Sequence, residues 1–213
     1  MPTTYDVIYL GRSDTAIDPI EGNTVSEDVG LLLGSSFGSL ENPLFQNIQT
    51  MSPSGQPGNA YDVNNTVTND RFIVDGTVYT TDGVGNYTAT LTYADGTTAT
   101  ATAKIIQATT GDIFLLPEVS GQFANQALLS AQPIQSIRFD ALGVQGGSMS
   151  VDRLANAFSD GVAGTDAGQF MQVGFVDADG TRITAGPDVI SGNGGNDAIF
   201  AGSGDDTIYG FDY

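Results

Sequence analysis

GPDVISGNGGNDAIFAGSGDDTIYG, residues 186–210, sets three residue types on one beat: Asp188, Asp197 and Asp206, Gly186, Gly195 and Gly204, and Ile190, Ile199 and Ile208, each column nine residues apart. Three columns sharing a period mark an internal repeat rather than chance spacing. Glycine admits the positive φ at which a backbone turns sharply and gathers its carbonyl oxygens on a concave side, and the following aspartate adds a carboxylate. The isoleucine two residues further on anchors a short strand. A polar loop followed by a single inward anchor describes a parallel β-roll whose core is one isoleucine wide per turn.

The donors in this loop are all hard oxygens, and six to eight of them are what Ca²⁺ takes. The charge balance points the same way. After Arg182 the chain carries five aspartates and no Lys or Arg, so without a cation their repulsion opposes compaction. The candidate metal ligands are the carboxylates of Asp188, Asp206 and Asp197 with the turn backbones at Gly186, Gly202 and Gly204. Isolated Gly/Asn/Asp turns between ordinary strands are the plainer alternative, and the common period argues against it.

Ala201–Tyr209 resembles the RTX nonapeptide G-G-x-G-x-D-x-U-x apart from Ala201 in the first glycine slot, and Gly192–Phe200 does so with Asn193 in the second. The unit ending at Ile190 keeps only Gly186, Asp188 and Ile190. The resemblance implies calcium as the bound ion and two nonapeptides per full turn, which puts same-side loops 18 residues apart. Asp188 and Asp206 then share an edge while Asp197 faces the other way. One complete site is expected between the loops ending at Asp188 and Asp206. Asp197 is expected to need another loop beyond Tyr213, a neighbouring molecule or water.

Composition narrows the partners. The 213 residues include 25 acidic against 6 basic ones, a net charge of −19 that repels nucleic acid and anionic membrane and attracts cations. There is no cysteine, hence no disulfide, zinc thiolate or thiol nucleophile, and no histidine, which removes the usual general base and most transition-metal sites. Glu21, Glu27, Glu41 and Glu118 are the only glutamates, and none sits in a motif with an orienting partner, so catalysis is not expected. MPTTYDVIYLGRSDTAID lacks a basic region followed by an apolar one, and no stretch approaches the roughly 18 apolar residues of a membrane helix. Export is expected instead through the carboxyl-end signal read in proteins that carry such repeats.

Upstream, the pattern is all strand. Tyr87–Tyr93 alternates Thr with Tyr, Ala and Leu, Ala94-Asp95-Gly96 supplies a turn, and Thr98–Lys104 alternates Thr with Ala, predicting a hairpin with one wet and one buried face. Phe72–Val74 and Thr77–Tyr79 flank Asp75-Gly76 as a second hairpin. Tyr5–Leu10 ends at Gly11, Ile113–Leu116 reads as a strand buried on both sides, and Ile134–Phe139 as another. Short helices are expected over Phe123–Leu129, capped by Ser120, and over Val151–Phe158 after Ser150. The Asn64 and Asn86 sequons read as strand-edge polarity.

The expected architecture is therefore all-β: an antiparallel β-sandwich over 1–158, a linker and capping hairpin over 159–184, and a short calcium-binding parallel β-roll over 185–213. Asp177-Ala-Asp179-Gly180 resembles half of a calcium loop without its later ligands and reads as the turn of that hairpin, with a supporting calcium ligand as the alternative. The order YDVIYLGRSDTAIDPIEGNT, YDVNNTVTNDRFIVDG, YTATLTYADGTTATATAKIIQATTGDIFLLPE, QPIQSIRF and VDRLANAF resembles the amino-terminal β module of secreted alphaproteobacterial proteins that often precedes a self-processing hedgehog/intein (Hint) domain. That domain starts with a nucleophilic cysteine. With none in this chain, autoprocessing does not carry over.

These readings lead to a secreted or cell-surface calcium-binding structural protein, with self-association through strand edges, Thr3–Leu10 and the open end of the roll being the candidates. A calcium-dependent adhesin or carbohydrate-binding module for surface or matrix glycans, and a carrier for a Hint domain, are the alternatives.

Overall fold

The structure, a computed structural model, describes residues 4–20, 25–55, 60–62, 70–119, 121–146, 148–155 and 157–210. Its elements are β1 (Tyr5–Arg12), β2 (Ser36–Phe37), β3 (Ile48–Ser54), β4 (Ala60–Asp62), β5 (Arg71–Val74), β6 (Thr77–Tyr93), β7 (Thr98–Ala108), β8 (Asp112–Leu116), α1 (Phe123–Leu129), β9 (Ile134–Leu142), β10 (Ser148–Ser150), β11 (Val162–Ala163), β12 (Phe170–Gln172), β13 (Val189–Ser191), β14 (Ala198–Phe200) and β15 (Thr207–Tyr209).

Both predicted hairpins are present. Val74 faces Thr77 across Asp75-Gly76, where Asp75 adopts φ 45° and Gly76 φ 83°. Thr92 faces Thr98 across the Asp95-Gly96 turn, and along β6 the Thr side chains are wetter than the buried Tyr87, Ala89, Leu91 and Tyr93 between them.

The sandwich expectation is met only in its antiparallel pairing, because the pairing closes on itself. β6, 17 residues long, bonds to β5, β7 and β9, and the circuit β6–β5–β3–β1–β8–β7 returns to β6. Every strand of that circuit contributes to one core: Val7, Met51, Phe72, Val84, Ile106 and Phe114. A second core lies on the other face of β1, β7 and β8, where Ile8, Ile105 and Leu115 join Tyr87, Leu91 and Phe139 under Ile17, Leu32, Leu44 and Leu129. Alternate residues of one strand thus serve two cores, which is why Ile113–Leu116 is apolar without alternation and buried throughout.

β1 is bonded on both sides, to β3 and β8. It is a central strand, not the free edge expected of Thr3–Leu10, so self-association by simple addition of this strand is withdrawn. α1 forms as expected, though Gln122 rather than Ser120 stands at its start and Ser120 lies outside the described residues, as does the Asn64 sequon. Among the described residues of 151–158 the expected helix does not form. Val151 and Met149 bury into the circuit's core and the Leu154 N–H bonds the Glu118 carbonyl, so tertiary contacts claim this segment.

Residues 159–184, read from the sequence as linker and hairpin, include two strands of the roll. β11, β13 and β15 form one parallel sheet with Val162, Ile190 and Ile208 in register, and β12 and β14 form another with Met171 opposite Ile199. The hairpin is present too, with Val176 opposite Arg182. It contributes Phe175 and the fully buried Ile183 to a roll core of Val162, Met171, Ile190 and Ile199. This core is wider than the single isoleucine per turn that the repeat predicts.

Candidate metal centre

The two sheets place the aspartates as the 18-residue spacing requires. Asp188 and Asp206 precede β13 and β15 on one edge, Asp197 precedes β14 on the other, and Val189 is in register with Thr207.

On the first edge the loops stack at backbone contact. Gly204 holds φ +133°, and a Cβ there would lie 2.6 Å from the Gly186 carbonyl carbon and 2.7 Å from its oxygen. Gly186 itself would accept a Cβ, which would meet only the Thr184 hydroxyl at 3.6 Å. Gly202 lies against Val173 Cγ2 and the Thr184 carbonyl. Asp206 accepts the Asp188 N–H of the neighbouring loop at 2.9 Å, and Asp188 accepts the Thr184 N–H of its own loop at 2.8 Å and its hydroxyl at 3.2 Å.

The other edge differs from expectation. The loop leading to Asp197 stacks on residues 164–168 of the same chain, so nothing beyond Tyr213 is needed to face it. The Asp197 carboxylate accepts the Gln169 N–H at 2.8 Å, and a Cβ on Gly168 would lie 2.6 Å from the Asn196 carbonyl oxygen. Asn193, in a glycine slot of the repeat, adopts φ 58° and donates through Nδ2 to the Gly164 carbonyl at 2.8 Å. Asparagine is among the few side chains that tolerate this region, and its amide supplies the bond a glycine could not. Beside this loop lies a cavity of about 290 Å³ lined by Gly192, Asn193, Asp197, Ile199 and Gly210.

Sequence reasoning missed the older turn, 160–171. Its signal is present: Val162 and Met171 are nine residues apart, as Ile190 and Ile199 are, with Asp160 two before Val162 and Gln169 two before Met171. The interval from Met171 to Ile190 is 19 residues, because the hairpin interrupts the beat.

A further acidic group gathers where the hairpin and β11 meet β1. Burial raises the pKa of Asp160, aided by Asp179, Asp177 and Asp6 and opposed by its own backbone N–H. Burial likewise raises Asp6, eased by the Ala157 N–H and reinforced by Asp179. Asp177 ties the hairpin to the roll, with one oxygen taking the N–H groups of Asp179 and Thr181 and the other that of Ala163 at 3.1 Å. The turn reading of Asp177–Gly180 agrees with this. Between module and roll, on the Asp188/Asp206 edge, lies a cleft of about 420 Å³ lined by Asp95, Gln132, Pro133, Asp188, Asp205 and Thr207 among others.

Among the described residues no three carboxylates converge to make a metal site by themselves. The donor set nevertheless suits calcium. The carboxylates and carbonyls of these loops are hard oxygen donors, and at Gly204 the two backbones approach so closely that a Cβ would meet the Gly186 carbonyl group.

Residues 183–210 match the model of the RTX calcium-binding nonapeptide repeat (four copies). RTX nonapeptide repeats bind Ca²⁺, and proteins that carry them are typically secreted. The match covers the segment from the base of the hairpin to the end of β15. No curated protein and no solved structure matches the chain. Among the described residues no helix is long and apolar enough to cross a membrane.

Proposed function

We propose that this chain is an extracellular calcium-binding structural protein of a bacterial cell surface or matrix, whose carboxyl-terminal roll is ordered by calcium after export. The observation that carries the reading is the stacking of the loops at 184–188 and 202–206, where Gly204 leaves the two backbones in contact beside the carboxylates of Asp188 and Asp206. Carbonyls of these loops together with those two carboxylates would hold one ion. Asp197, with the loops at 164–168 and 192–197, would hold a second.

Calcium supplies the countercharge to the aspartates that follow Arg182. In low cytosolic calcium their repulsion keeps the roll open for transit, and millimolar external calcium closes it by mass action. No reaction is assigned to the molecule: the loops bind, and the typical member of this repeat family is non-catalytic.

Self-association fits the roll better than the module. Among the described residues β14 pairs with β12 alone, so its other edge is the candidate for addition of another strand. A glycan-binding role would use the cleft beside Asp95 and Asp188. The likeness of residues 1–158 to modules that precede Hint domains rests on the order of the motifs, and the chain offers no cysteine for that chemistry.

Sedimentation and far-ultraviolet circular dichroism of the whole chain in chelator and in millimolar calcium test the proposal. Calcium should add strand signal and increase the sedimentation coefficient through compaction or assembly. Identical spectra and identical sedimentation in the two conditions would reject it.

A further inference from the structure

Tyr209 is buried by the wrong partner for a residue of the roll. Side chains alternate along β15, and Ile208, the anchor that the repeat directs into the roll, is 49% exposed, whereas Tyr209 is 6% exposed. The module covers it. The Tyr209 ring meets Phe45 edge-on at 5.0 Å between centroids, with Ala94 and Val189 completing the cluster. One residue further on, Gln46 Nε2 donates to Ser191 Oγ of β13 at 3.4 Å.

Phe45 does not stand alone on the module. It follows Leu44, which belongs to the larger core, and Leu44 is held tightly: a Cβ on Gly38 would lie 2.6 Å from Leu44 Cγ and 2.4 Å from the Gln135 carbonyl oxygen. On the roll side, Tyr209 is three residues after Asp206, whose carboxylate bonds the Asp188 backbone. The path from the loops to the module's core is thus Asp206, Tyr209, Phe45, Leu44.

We infer that module and roll form one calcium-linked unit, in which Tyr209 seated on Phe45 passes the free energy of calcium binding into the module's core. The inference rests on the calcium reading above. When the ion leaves, repulsion among the aspartates loosens β15, Tyr209 withdraws, and Phe45 and Ala94 become a wet apolar site on the module. Linkage makes the effect reciprocal: whatever calcium does for the module, an intact Phe45 contact does for calcium affinity.

The test uses the full chain, titrated with calcium in a calorimeter and followed by amide hydrogen exchange in β7. In the wild type, calcium at about a hundred times its dissociation constant should slow exchange at Ala103 and Ile105 and raise the module's melting temperature by about 5–10 °C. Tyr209→Ala should bind calcium without that protection, while Tyr209→Phe, which keeps the ring, should behave as wild type. Phe45→Ala leaves every residue of the repeat in place and should weaken calcium binding about fivefold or more.

Calcium binding by the wild type with no change in β7 overturns the coupling and leaves the calcium reading standing, as does Tyr209→Ala with full protection or Phe45→Ala with full affinity. A wild type that takes up no calcium overturns the calcium reading itself, and the coupling with it.

Discussion

At the scale of single residues, two glycines in the same column of the repeat do different work. Gly204 needs both its positive φ and its missing side chain, since a Cβ would press on the Gly186 carbonyl group, whereas Gly186 meets nothing nearer than 3.6 Å. Gly204→Ala should cost about 1–3 kcal/mol of roll stability through backbone strain and lower calcium affinity, and Gly186→Ala should change little. Calcium-dependent melting of the two variants, side by side, checks the asymmetry. Asp206→Ala removes the acceptor of the Asp188 N–H as well as a charge, and should cost the calcium-loaded roll about 1.5–3 kcal/mol. The column of aspartates was legible from spacing alone because it has a strict period. The difference between the two glycines was not, because it depends on which loop stacks outside which.

At the scale of elements, the alternating segments were read correctly wherever one face of a strand is wet. Thr–Ala alternation in β7 and Thr–Tyr/Leu alternation in β6 leave little choice of register. What escaped was closure: a strand long enough to bond three partners looks, residue by residue, like a strand that bonds two. The segment 151–158 escaped for another reason, since Val151 is claimed by the core and local helix propensity is overridden. The start of the roll was hidden by the inserted hairpin, which shifts the beat by ten residues and replaces the acid before Met171 with Gln169. The anchors also differ with position. Ile190 is fully buried and Ile208 is 49% exposed. Truncating Ile190 to Ala should therefore cost about 2–5 kcal/mol, against roughly 0.5 kcal/mol or less for Ile208→Ala. Equal losses in denaturant titrations of the two variants would mean that the open end of the roll is covered in solution.

At the scale of the whole molecule, the charge that makes the chain a calcium binder also strains the place where module and roll meet. Asp160 and Asp6 both have pKa values raised above the ordinary carboxylate value by burial, with Asp179 adding to each. A raised folded-state pKa means that the native form holds protons the unfolded chain has released. At saturating calcium, stability should accordingly increase as pH falls from the raised values toward the ordinary aspartate pKa near 4, and be lost again as pH rises through that window. Asp160→Asn should flatten this dependence and raise the melting temperature at pH 7, with the gain vanishing near pH 4. A variant no more stable than wild type at pH 7 would show that the acidic junction is not under strain.

The account turns on an ion held by the stacked loops, and the most direct measurement is anomalous X-ray scattering from crystals grown in millimolar calcium. It predicts a peak between the loops at 184–188 and 202–206, ringed by oxygen at 2.3–2.6 Å, with Asp188 or Asp206 among the ligands. A fully ordered roll showing no anomalous density at either edge would contradict it.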